Sequence, residues 1–172
     1  MASDVLAVMD YLGLQKGSIV GWSDGAIIGI EIAIHHPERL DKLVAFGANY
    51  NIYGLRSDVK RSKTFRLYFD QAKRDYKRLS SSPDKYDTFV AAMRRMWRTQ
   101  PNYSPKELAS IKAPTLVIVG QYDEAVRSCH TQKMANFIPY SKLEILPGVS
   151  HFAMLQNPEA FNTAVLGFLQ SQ

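Results

Sequence analysis

Gly21-Trp22-Ser23-Asp24-Gly25 is the stretch that decides the fold. The pattern G-x-S-x-G is that of a nucleophile elbow, a serine held on a sharp turn between a strand and a helix. Upstream, Gly17-Ser18-Ile19-Val20 is short and β-branched and reads as a strand. Downstream, residues 26–34 run Ala-Ile-Ile-Gly-Ile-Glu-Ile-Ala-Ile, apolar almost all round, and read as a buried helix. Glycines beside the serine leave room for a strained backbone, because they carry no Cβ. The competing account of Ser23 is a serine N-cap on an ordinary strand-turn-helix.

Two later stretches supply the partners such a serine needs. Val117-Ile118-Val119-Gly120-Gln121-Tyr122-Asp123-Glu124 is an apolar strand running into a loop with two carboxylates. Leu143-Glu144-Ile145-Leu146-Pro147-Gly148-Val149-Ser150-His151-Phe152 is a strand followed by a loop with one histidine. A serine hydroxyl is a poor nucleophile until a base takes its proton. Histidine titrates near neutral pH and can accept and return it. A carboxylate orients the imidazole and stabilises its charged form. Taken singly, Asp123 also reads as a turn residue and His151 as a hydrogen-bonded loop histidine.

The order Ser, Asp, His is that of α/β-hydrolases, and the chain resembles them in detail. The likeness is closest to the group of 3-oxoadipate enol-lactonases and small serine esterases. It rests on residues 21–25, on Ala113-Pro114-Thr115-Leu116-Val117-Ile118-Val119-Gly120 with Asp123-Glu124, on Pro147-Gly148-Val149-Ser150-His151-Phe152, and on Asn157-Pro158-Glu159 opening the last helix. The resemblance implies serine hydrolysis of a carboxylic ester or lactone, with no cofactor. Ser23 would be the nucleophile, His151 the base and Asp123 its orienting acid; Gly-x-x-Asp after the strand selects Asp123 over Glu124. It also implies an oxyanion amide from Asp24, whose side chain suits the helix N-terminus. Trp22, Tyr68 and Trp97 would line an acyl pocket, core packing being the other role open to them. Ser in place of Asp at the elbow speaks against dehalogenase and epoxide-hydrolase chemistry.

The likeness covers only about the C-terminal two thirds of such a protein. Expected strands before the elbow, and the His-Gly loop that supplies a second oxyanion amide, are missing. Losing one such donor lowers rates by about two to three orders of magnitude. A catalytically impaired binding or assembly module is therefore the alternative function. The elbow strand would lie at a sheet edge, and a bare apolar edge invites pairing; a homodimer is expected to cover it.

Composition bounds the rest. The 172 residues, 46% hydrophobic, suit one globular domain with a core. No run approaches a membrane span, and residues 1–14 carry acids rather than a basic leader. A single cysteine, Cys129, excludes an internal disulfide and fits a reducing, cytoplasmic setting; it reads as a buried or half-buried helix residue. No metal-ligand spacing appears. His35-His36 before Pro37 read as cations at a helix end.

The net charge of +5 is concentrated. Residues 54–106 hold fourteen Lys and Arg against five Asp, a local +9, which leaves the remainder at −4. The resemblance places a helical cap here, at 52–106. Phe65, Tyr68, Phe69 and Tyr76 mark one amphipathic helix, and Tyr86, Phe89, Val90, Met93, Met96 and Trp97 another, with a break at Ser82-Pro83-Asp84. The basic cap reads either as a solvated face or as a lid attracting anionic substrates. No nucleic-acid motif accompanies it.

These signals predict an α/β fold with a four-stranded, mostly parallel sheet. The expected elements are helix 3–13, strand 17–22, helix 24–36, strand 42–47, cap helices within 55–104, strand 115–120, helix 128–137, strand 142–146 and helix 158–170.

Overall fold

A computed structural model describes residues 1–171. Its frame is four parallel strands in the order β1-β2-β3-β4: β1 Gly17–Trp22, β2 Leu40–Phe46, β3 Thr115–Gly120 and β4 Ser141–Leu146. The order follows from the chain. Parallel neighbours need a crossover, and a helical stretch separates each pair. Helix α1 (Ala2–Tyr11) precedes β1, and α2 (Asp24–His35) links β1 to β2. Helices α3 (Lys63–Leu79), α4 (Tyr86–Met96) and α5 (Pro105–Ala109) lie between β2 and β3, and α6 (Ser128–Phe137) between β3 and β4. Helices α7 (Ala153–Gln156) and α8 (Pro158–Gln170) close the chain.

Alternation along the strands builds two cores. Leu43, Ala45 and Val117 face Ala26, Ile30 and Ile32 of α2 and Met134 of α6. Val44, Phe46, Leu116 and Ile118 face Val165 and Phe168 of α8. Side chains of period two therefore feed both faces. Buried throughout, β3 reads as one unbroken apolar run because it is covered on both sides. Each fully buried side chain of this size contributes roughly 1.5–3 kcal/mol. Lys42 leaves the apolar pattern of β2 for a specific reason. Its Nζ donates to the carbonyl of Leu169 at 2.9 Å and also to that of Ser171, tying down the C-terminal end of α8, where a cation complements the helix dipole.

The expected sheet is present, with ends that differ in explicable ways. Strand β2 begins at Leu40, which pairs with Gly17 and is buried, and it stops before Gly47. Gly47 has φ +63°, outside extended geometry. Helix α1 ends at Tyr11, and Gly13 follows in the left-handed region at φ +69°. Helix α2 stops at His35, since His36 adopts φ −136° ahead of Pro37.

Burial departs further from expectation. Ile27, Ile28 and Ile34 of α2 are only partly buried. On α1, Met9 is buried but Val8 and Leu12 are exposed. No residue of α3 is fully buried, and Tyr86 is the one buried residue of α4. Cys129 is exposed, not buried or half-buried: it sits in the first turn of α6 beside His130 and Thr131, which take the inward positions. His35 and His36 lie near Glu31 and Glu38, at 3.7 and 3.8 Å, as well as at the helix end. Among the described residues, no helix is long and apolar enough to cross a membrane.

Candidate active site

Register sets the site. Trp22 pairs with Phe46, Phe46 with Ile118, and Gly120 with Leu146, so the strands end together on one side. Ser23, Gly47, Asp123 and His151 all lie on the loops just beyond those ends, where open parallel sheets place their ligand sites.

Ser23 stands between β1 and α2 with φ +54° and ψ −120°. Among the described residues it is the only non-glycine with positive φ. Its amide donates to the Phe46 carbonyl at 2.8 Å, and its own carbonyl accepts from Ala26 and Ile27. The hydroxyl makes no capping hydrogen bond to α2, so the N-cap account of this residue does not describe it. The glycine requirement is specific at position 21: a Cβ there would lie 2.5 Å from backbone atoms of Gly25 and Ala26. Asp24 opens α2, so its amide has no intrahelical acceptor.

Asp123 and His151 meet 28 residues apart in sequence: Asp123 Oδ2 lies 2.8 Å from His151 Nδ1. Both side chains are almost wholly buried. The second carboxylate oxygen, Oδ1, accepts from the amides of Ala125 and Val126 at 2.8 and 2.7 Å. The carboxylate is thus fixed by its own loop before it orients the imidazole. Glu124 acts on the same residue through the backbone, accepting from the His151 amide at 3.0 Å. Trp22 Nε1 donates to the His151 carbonyl at 2.8 Å. His151 is therefore held at ring, amide and carbonyl. Its Nε2 is buried and, among the described residues, has no hydrogen-bond partner.

Ser23 and His151 share no hydrogen bond among the described residues, although both neighbours of Ser23 engage His151. Trp22 bonds its carbonyl, and Asp24 lies within electrostatic reach of it. Burial raises the Asp24 pKa, while a hydrogen bond from Trp97 and the nearby His151 oppose the rise. Around the imidazole stand aromatic rings. Phe65 lies 5.4 Å from it, Trp22 5.6 Å, Phe152 5.8 Å and Phe46 6.3 Å. Tyr68 packs edge-on against Trp22 at 5.5 Å.

Two contributors lay outside the reach of motif reading. Gly47 is required by contact: a Cβ would sit 2.7 Å from His151 Cε1 and 2.9 Å from Nδ1. His130 pins the chain leaving β2. Its Nε2 accepts from the Tyr50 amide at 3.1 Å, and its ring stacks on Tyr50 at 3.9 Å. Burial, then Lys133 and Arg127, push its pKa down to about 4, which keeps that nitrogen an acceptor. No sequence pattern marks either residue, because both act on chain more than 75 positions away. Among the described residues, no cluster of three His, Cys, Asp or Glu could hold a metal ion.

Residues 1–164 match the family described as the alpha/beta hydrolase family. Among similar proteins is a 2-hydroxy-6-oxononadienedioate/2-hydroxy-6-oxononatrienedioate hydrolase of Comamonas testosteroni. It is 26% identical over 98% of this chain and 68% of its own length. Solved structures share the fold. A meta-cleavage product hydrolase from Pseudomonas fluorescens IP01 superposes with TM-score 0.82 at 20% identity, covering 98% of this chain and 70% of that one. The enol-lactonase from Burkholderia xenovorans LB400 gives TM-score 0.70 at 20% identity, covering 99% and 72%.

Proposed function

The chain belongs to the alpha/beta hydrolase family, and from that premise we propose that it is a serine hydrolase acting on a carboxylic ester or lactone. One observation carries the reading. Among the described residues, a buried Asp123–His151 pair leaves Nε2 without a partner, beside an elbow whose serine is the one non-glycine with positive φ. In this reading Ser23 Oγ attacks the carbonyl carbon as His151 Nε2 takes its proton. Asp123 holds the tautomer with the proton on Nδ1 and stabilises the imidazolium. The oxyanion accepts from the Asp24 amide. Collapse breaks the C–O bond, and His151 returns the proton to the departing alkoxide. A water then repeats the sequence on the acyl-enzyme. Nucleophile–base hydrogen bonds are often long until substrate is in place.

Residues 52–106 would serve as a helical cap over this site, with Trp22, Phe65 and Tyr68 as walls. The basic character of that segment supports an anionic substrate. The Comamonas protein is named for a dienedioate, itself a dianion, which is consistent in charge. A catalytically impaired binding module is the second reading. It is favoured by the open edge that β1 presents among the described residues.

A fluorophosphonate probe tests the proposal. It should label Ser23, and the adduct should vanish in Ser23→Ala. An adduct on another residue, or unchanged labelling of Ser23→Ala, would overturn the assignment; complete absence of labelling would favour the second reading.

A further inference from the structure

Helix α3 meets Trp22, His151 and Phe152 through rings, and the rings of α4 meet Tyr76 of α3. Phe65 packs on His151 and on Phe152, the latter at 5.1 Å, and Tyr68 packs on Trp22. Such ring pairs favour edge-on or offset geometry but satisfy no hydrogen-bonding group. Among the described residues, one hydrogen bond alone runs from residues 63–97 to the sheet or to the helices outside this segment. Trp97 Nε1 donates to Asp24 Oδ2 at 2.8 Å, across 73 residues.

Both ends of this bond are well placed. Trp97 directly follows α4, and its amide still bonds Met93 at 2.9 Å, so the indole is anchored to the helix. Asp24 is the first residue of α2 and directly follows Ser23. Both side chains are half-buried. An N–H to a carboxylate there is charge-assisted, about twice as strong as a neutral pair. Trp97 is the donor, and among the described residues the Asp24 side chain makes no other hydrogen bond.

We propose that Trp97 is a positioning residue, clasping α4 to the first turn of α2 and thereby fixing the Asp24 amide and the height of α3 over His151. The inference rests on the serine-hydrolase reading for its catalytic consequence, but not for the clasp itself. Asp24 thus has two separate duties. Its amide faces the reaction, and its carboxylate holds the helical segment above it.

The variants are Trp97→Phe, which keeps an aromatic ring but removes the donor, Asp24→Asn, which keeps an acceptor, and Asp24→Ala. Hydrogen exchange reads the clasp. Turnover of 4-nitrophenyl acetate and fluorophosphonate labelling read its effect. Trp97→Phe should speed deuterium uptake in α4 and in the first turn of α2. It should lower kcat about tenfold with KM within about twofold, while the thermal midpoint moves less than about 4 °C. In hydrogen exchange, Asp24→Asn should keep uptake in α4 close to the parent's, Asp24→Ala should match Trp97→Phe, and the double variant Trp97→Phe/Asp24→Asn should exchange no faster than Trp97→Phe.

Unchanged exchange in Trp97→Phe refutes the clasp, whatever the activity. Faster exchange with unchanged kcat refutes the positioning role. A rise in KM alone refutes it as well, assigning the indole to the substrate pocket. If the parent itself resists the probe and does not turn over the ester, the serine-hydrolase reading and the positioning role fall together. Exchange then still decides the clasp.

Discussion

Two adjacent carboxylates touch one histidine here, and their roles separate at the atom. Asp123 meets the ring nitrogen, whereas Glu124 meets the main-chain amide. Asp123→Asn should cut turnover by about 10⁴-fold, because an amide facing Nδ1 favours the wrong tautomer. Glu124→Gln keeps an acceptor oxygen for the His151 amide and should lose less than about tenfold. Steady-state kinetics of both variants checks the ranking; the reverse order would reassign the acid. The family resemblance already favoured Asp123, since Gly120-x-x-Asp123 after the strand matches the spacing of that family. The grip of Trp22 on the His151 carbonyl was not legible. Nothing local to Trp22 says that its indole meets a residue 129 positions away.

The C-terminal end of β2 is where an element decides chemistry without contributing a reactive group. The strand must stop and turn aside so that His151 can lie across its end. Gly47 does this at φ +63°, with its Cα face against the imidazole and 3.4 Å from Asp123 Oδ2 for any added Cβ. Gly47→Ala should therefore displace the Asp123–His151 pair. Fluorophosphonate labelling should drop at least about tenfold, with about 1–3 kcal/mol lost in denaturant unfolding. Wild-type labelling in that variant would show that the ring can shift at no penalty. Strands and long helices were legible because period-two and apolar runs are imposed by burial. Their ends were less so: Leu40 joins β2 through pairing with Gly17, a contact that no window of sequence contains. Amphipathic stripes also overstate burial. Those of α3 and α4 are genuine, yet Tyr68, Phe69 and Phe89 keep more than a third of their surface in water.

At the scale of the molecule, β1 lies at one end of the sheet, paired only with β2 among the described residues. Val20 is 47% exposed there, and Val8, Tyr11, Leu12 and Leu14, in the segment that leads into β1, are exposed as well. An open edge with such exposure is a template for another chain. We propose that this chain forms a homodimer in which β1 edges meet, antiparallel, across a two-fold axis. Light scattering should give twice the mass of the chain at micromolar concentration, and Val20→Lys should shift it toward monomer; a stable monomer in dilute solution would refute the dimer. The sheet's topology also has a bearing on how the molecule is made. The parallel topology separates the proposed nucleophile and its base by 128 residues, at positions 23 and 151. A ribosome adding about 5–20 residues per second would expose the serine roughly ten seconds before the histidine exists. During synthesis the emerging chain thus carries its serine unarmed, and the proposed hydrolysis requires the chain to extend through residue 151.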